Sequence, residues 1–208
     1  MVTVATATDK IPAKRSAARE RLLSTASRLF YSEGISGVGV DRIVSASNVT
    51  LATFYRHFPS KQDLVVSYLR AIHDTLVERA EAGAAGKDGR ELIVAIGAEV
   101  VAEVGHEGFR GCAFINAASE YEDPENAVRR VVAEHRLWYF ERLRSAFADA
   151  GHKRPGNAAR HFMMLRDGTV TAGYLDSPAA AKRTFRRGVE GLIRAIDIDH
   201  MPHDVDEV

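Results

Sequence analysis

Apolar residues recur along this chain at helical spacing from about residue 16 almost to its end, and nowhere do they alternate as in a strand. Leu22, Leu23, Ala26, Leu29 and Phe30 share one face of a first helix, Ser16 to Glu33, which Gly34 is placed to close and Ile35 to fold back upon. Val40, Ile43 and Val44 give a second, short apolar face. That helix must stop at Ser45, Ser47 and Asn48, because these residues favour turns and Asn48 tolerates a left-handed backbone. Thr50 is a hydroxyl N-cap for a third helix, Leu51 to His57, from which Val49 and Phe54 fold inward. Pro59 ends it, and Ser60 with Asp63 reads as a capping box that starts the next. Two short helices across a tight turn form a helix-turn-helix, whose second member enters a DNA major groove.

The same periodicity continues downstream. Lys61 to about Ala82 is one long helix with Leu64, Val65, Tyr68, Leu69, Ile72, Leu76 and Val77 as its apolar stripe, and the run Gly83 to Gly89 breaks it. Further helices are expected over Arg90 to Val104, Cys112 to Tyr121, from Asp123-Pro124 to Ala150, Asn157 to Tyr174, and Ser177-Pro178 to Ile198. The expectation is therefore an all-α chain of about nine helices. Its first three build a DNA-binding unit to which the start of the fourth belongs, and the fourth connects that unit to the rest. Residues 1 to 15 carry no period and include Pro12, so they read as a mobile arm. Its Lys10, Lys14 and Arg15 would follow the DNA backbone or stay in solvent.

Charge sharpens this division. The net charge is zero, yet residues 1–70 hold ten Lys or Arg against five Asp or Glu, and residues 71–208 hold eighteen against twenty-three. A basic front and an acidic remainder confine the footprint for phosphate to one end. No stretch approaches the apolar length of a membrane span, residues 1–10 lack the apolar run of a secretory signal, and Cys112 stands alone. A reducing cytoplasm is the expected compartment. There is no Ser-His-Asp pattern, phosphate loop or HExxH, so no enzyme and no cofactor are expected.

The run NVTLATFYRHFPSKQDLV resembles the DNA-binding signature of the tetracycline-repressor (TetR) family of bacterial transcriptional regulators. Phe54-Tyr55, His57-Phe58 and Ser60-Lys61 with Leu64 fall at the family's spacing, as do Leu29-Phe30 and Glu33-Gly34 upstream. The likeness covers about residues 16–76, with the helix-turn-helix at 39–58. It implies a second helical domain over 77–200 for effector binding and dimerisation. It also implies a homodimer on double-stranded DNA at a palindromic operator, released by a small-molecule effector. The sequence departs from the family at Gly39 and Val40, which lack the hydroxyl that often touches phosphate there.

Roles follow residue by residue. Thr50 and Thr53 can bond phosphate or a base edge, and Tyr55 resembles the family's phosphate-contacting tyrosine. Lys61 lies at the positive end of its helix, where phosphate is attracted. Arg56 is the candidate for bidentate pairing with guanine O6 and N7. His57 contacts phosphate or packs. Leu51 and Ala52 replace the family's commoner charged-plus-small pair, so that Leu51 meets a thymine methyl or packs.

In the second domain, Leu165, Gly168, Val170, Ala172, Phe185, Val189, Leu192, Ile193 and Ile196 would build a four-helix dimer interface. Residues with large or polar tips would line an effector pocket, mostly apolar with a few polar anchors. They are Tyr68, Phe109, Phe114, Asn116, His135, Trp138, Tyr139, Arg142, Phe162, Met163 and Arg166. Each could instead be ordinary core. Glu120, His135 and Asp167 show no metal-ligand spacing, and Cys112 reads as a buried apolar thiol.

Overall fold

The computed structural model describes residues 16–200, with side chains to Ile196. The arm of residues 1–15 and the polar end beyond residue 200 lie outside the described residues. Within them the regular structure is helical: α1 (Ala17–Glu33), α2 (Val40–Ser47), α3 (Leu51–His57), α4 (Lys61–Ala84), α5 (Gly89–Glu103), α6 (Ala113–Glu120), α7 (Ala127–Asp149), α8 (Pro155–Leu175) and α9 (Pro178–His200). None is long and apolar enough to cross a membrane.

α1 is the scaffold against which α2, α3 and α4 pack. Leu22, Ala26, Leu29 and Phe30 bury its apolar face against Ile43, Phe54, Phe58, Leu64, Val65 and Leu69. Large apolar side chains withdrawn from water in this way contribute about 1.5–3 kcal/mol each. The turn between α2 and α3 takes the expected form. Asn48 is left-handed, with φ 51° and ψ 51°, and its N–H donates to the Ser45 carbonyl at 3.2 Å. Thr50 then caps α3, its Oγ1 accepting the Thr53 N–H at 3.2 Å.

The box at Ser60 closes only halfway. Ser60 Oγ accepts the Asp63 N–H at 3.1 Å, but the Asp63 carboxylate takes the serine hydroxyl at 2.7 Å rather than the serine N–H. Aspartate is one methylene shorter than the glutamate that normally reaches back. A complete box stands at Asp88–Glu91 and opens α5.

α4 runs unbroken past residue 76 to Ala84, so the two halves share a helix. They also share a core: Phe114, Ala117, Val128, Val131 and Val132 join the cluster of α1 to α4 from α6 and α7. A second cluster fills the far end, between α5, α7, α8 and α9, around Ile96, Leu143, Phe147, Phe162 and Phe185. Gly89 lets α5 begin directly against the end of α7, where a Cβ would overlap the Ala150 nitrogen and the Ala146 oxygen.

Three boundaries differ from expectation. α7 starts at Ala127, because residues 123–126 form a turn in which the Asn126 N–H donates to the Asp123 carbonyl at 3.1 Å. Asn126 Oδ1, not Asp123, then caps the helix on the Val128 N–H at 2.8 Å. α8 starts earlier than Asn157, with Pro155 in its first turn. α4 carries Gly83 inside its last turn. On α8 and α9, Val170, Phe185, Val189 and Ile196 are buried within this chain's own core, and Leu165 packs over Gly188. α8 leaves outward, among others, Gly168 and the apolar Met164 and Leu175, 72% and 68% exposed.

Candidate nucleic-acid interface and effector cavity

α3 turns Phe54 inward, fully buried, and Phe58 follows it beneath the Arg19 guanidinium. Its other face is open. Leu51 and Tyr55 are 45% and 51% exposed, and Thr50, Ala52 and Arg56 are exposed beside them. The hydroxyls of Thr50 and Thr53 lie 2.9 Å apart, and Arg56 Nη2 donates to Thr53 Oγ1 at 3.4 Å. This bond holds the guanidinium along the outer face, and among the described residues its other N–H groups have no acceptor. His57 faces back instead, its Nε2 3.3 Å from the hydroxyl of Ser16, which precedes α1. Lys61 is half-buried. Burial lowers its pKa, and the Glu120 carboxylate opposes that shift.

Behind this surface, α6 ties the halves together. The Glu120 carboxylate accepts the N–H groups of Ile35 at 2.9 Å and Ser36 at 2.5 Å, in the loop between α1 and α2. Tyr31 of α1 donates its hydroxyl to the Gly111 carbonyl at 3.0 Å and accepts the Arg110 N–H at 3.0 Å. Gln62 and Asn126 meet at 3.1 Å.

A cavity of about 860 Å³ opens between α4, α5, α7 and α8. Ala71, Ile72, Thr75, Leu76 and Arg79 line it from α4, and Glu99, Val100, Ala102 and Glu103 from α5, with His106 beyond. His135, Trp138, Tyr139 and Arg142 come from α7, and Arg166 from α8. Of the eleven pocket residues expected from sequence, His135, Trp138, Tyr139, Arg142 and Arg166 meet on this wall. Tyr68 and Phe114 border an adjoining lobe of about 340 Å³, which shares Ile72, Leu76, Glu103, His106 and Arg166 with the cavity. Met163 borders a small void beside His135.

The others lie elsewhere. Phe162 is core, edge-on to Phe185 at 5.5 Å. Asn116 spends its amide on the Arg110 carbonyl at 2.9 Å, and Phe109 packs on His106. Glu120, His135 and Asp167, weighed as metal ligands, are bonded in three separate places.

The wall mixes aromatic and aliphatic side chains with charged ones, of which Arg142 and Glu99 are joined to each other. Arg142 grips Glu99 bidentately at 3.0 and 3.1 Å. His135 stacks flat on Phe114, centroids 3.6 Å apart, and its Nδ1 lies 3.1 Å from Nδ1 of His73 on α4. Such a contact needs a proton on one ring nitrogen and a lone pair on the other. Burial, and then the positive charge of Arg166 with His73 and Arg136 behind it, pushes His135 down to about 3, so it is neutral at ordinary pH. Burial likewise raises the Tyr139 and Tyr68 phenols, which stay neutral. Among the residues sequence reasoning passed over are Arg79, Glu99 and Glu103 on the wall and His73 beside His135, since charged positions in an amphipathic helix normally face solvent.

A short helix packed on its scaffold through Phe54, with its other face exposed and a hollow helical bundle behind it, is the arrangement of a helix-turn-helix transcriptional regulator. Residues 22–68 match the family model for bacterial regulatory proteins of the tetR family. A TetR-family transcriptional regulator from Streptomyces coelicolor is 41% identical and superposes with a TM-score of 0.83, over 86% of this chain and 95% of that one. A TetR-type structure from Streptomyces avermitilis is 25% identical, with a TM-score of 0.78 over 88% and 99%. The HTH-type transcriptional repressor KstR2 of Rhodococcus jostii is 29% identical over 136 residues, 65% of this chain and 62% of the repressor. The match thus spans less than two thirds of that relative. The chain belongs to the TetR family of transcriptional regulators.

Proposed function

We propose that the protein is a homodimeric repressor that sits on a palindromic DNA operator and leaves it when a small, largely apolar molecule fills the cavity. The observation that carries this reading is the course of α4. It begins at Lys61 after a three-residue link from α3, its Leu64 and Val65 share a core with Phe54 of α3, and further along Ile72, Leu76 and Arg79 wall the cavity. One helix therefore touches both places where a ligand would act. α6 offers a second link, with Phe114 stacked on His135 at the cavity end and Glu120 clasping the α1–α2 loop at the other.

In a two-fold dimer the recognition helices must enter successive major grooves about 34 Å apart. Such a dimer needs a self-complementary surface, and the exposed Met164, Gly168 and Leu175 of α8, with a groove of about 310 Å³ between α8 and α9, support assigning it to this side. An effector that favours a shifted α4 moves the recognition helices out of register, with a coupling of about 1–3 kcal/mol. Thr50, Leu51, Ala52, Thr53, Tyr55 and Arg56 make the groove and phosphate contacts, Lys61 meets phosphate, and His57 holds α3 to the start of α1. KstR2 is named a repressor, which favours repression over activation. The test is a titration of the full chain on its selected operator, with and without an apolar ligand that binds the cavity. Release of DNA on ligand addition is expected. Independent binding of ligand and DNA contradicts the proposal.

A further inference from the structure

Resting on that effector reading, we infer that the effector is an amphipathic acid. Its apolar body lies along Ile72, Leu76 and Trp138, and its anionic group is held by Arg166 beside the first turn of α6.

The inference starts from how Arg166 is satisfied. Its side chain is 10% exposed and reaches the wall shared by the cavity and the adjoining lobe. Nη1 donates to Asp167 Oδ1 at 2.9 Å, but Nη2 donates to Cys112 Sγ at 3.3 Å, and a thiol sulfur is a weak acceptor. Asp167 is itself shared with Arg136 at 2.9 Å. Two guanidiniums thus lean on one carboxylate, and the cluster keeps a positive charge at the floor of the space.

The other charged groups on the wall do not cancel it. Glu99 is taken bidentately by Arg142, and the exposed carboxylate of Glu103, which borders both spaces, is matched in charge by the exposed Arg79 on the cavity wall. The start of α6 points the same way. Cys112 stands at its N-cap and gives no side-chain bond to the first-turn N–H groups, and Cys112, Ala113 and Phe114 border the lobe that Arg166 borders. A helix start adds positive potential there.

A neutral apolar ligand would leave this guanidinium with the weak thiol acceptor, a shared carboxylate and the Tyr139 ring as its partners. A cation would meet it head on. A carboxylate or sulfonate would take over from the thiol with a charge-assisted bond.

The test compares two fluorescent probes with the same aromatic frame, 8-anilinonaphthalene-1-sulfonate and the uncharged N-phenyl-1-naphthylamine. Binding to the full chain is read from quenching of Trp138, its single tryptophan, which lines the cavity. The sulfonate is expected to bind wild type about tenfold tighter or more, and Arg166→Gln to remove that preference. Arg166→Lys, which keeps the charge, should restore part of it. Should Arg166→Gln not fold, displacement of the probe from wild type by dodecanoate but not by dodecanol is the expected result. Equal binding of the two probes, a preference that survives Arg166→Gln, or equal displacement by acid and alcohol overturns the inference alone. If neither probe binds, the effector reading falls with it.

Discussion

Removing the carboxylate of Glu120 is the most direct perturbation of the joint between the two halves. It accepts the Ile35 N–H at 2.9 Å and the Ser36 N–H at 2.5 Å. Hydrogen bonds to a charged group contribute about 1.5–3 kcal/mol each when well shielded. This carboxylate is partly exposed, and solvent screening reduces the pair together to about 1–2 kcal/mol. For a chain of this size Glu120→Ala should then lower Tm by about 2–8 °C.

The pH dependence separates this mechanism from simple loss of packing. Burial raises the Glu120 pKa, yet the bonds from Ser36 and Ile35 and the charge of Lys61 outweigh it, so the folded value lies below the ordinary 4.5. The contribution is therefore complete above 4.5 and is lost as pH falls through the folded value. Thermal scans of wild type and variant should show a constant gap from about neutral pH to about pH 5, closing only in stronger acid. A variant within about 1 °C of wild type at neutral pH, or a gap that closes well above 4.5, would refute the reasoning.

Three further outcomes are expected. Arg56→Ala should weaken operator binding by about 1–3 kcal/mol and relax the base preference at one position of each half-site, measured by anisotropy on single-base operator variants. Gly89→Ala, which forces α5 away from the end of α7, should cost about 1–3 kcal/mol in a urea titration, whereas Gly39→Ala, with open space around it, should cost far less. Because His135 is held down to about 3, the unfolded chain takes up a proton below 6.5 that the folded chain refuses. Stability should thus fall with acid across that interval, by at most about 1.4 kcal/mol per pH unit from this group, and His135→Gln should flatten the slope.

The DNA-binding unit was legible because its signals are local. Asn48, Thr50, Pro59 and Ser60 each act on the backbone within three residues, so type and position alone describe what they do. The cavity was half legible. Periodicity on α7 brings His135, Trp138, Tyr139 and Arg142 to one side, but it does not say what stands across from that side. Phe162 has the same aromatic character as Trp138 and meets Phe185 instead of a void. Glu99 looks like a solvent-facing residue until Arg142 is placed opposite it. The start of α7 was misread for a related reason. Asp123-Pro124 and Asn126 are both competent openings, and only the turn between them, with the Asn126 side chain free to reach Val128, decides which one caps.

The most direct test of the central claim, that the open face of α3 reads duplex DNA from a two-fold dimer, is selection of bound sequences from random duplexes followed by a salt titration on the winner. The account predicts an inverted repeat with half-sites about one helical turn apart, bound with a log K that falls steeply and linearly with log salt. No enriched sequence, or an affinity indifferent to salt, would contradict it.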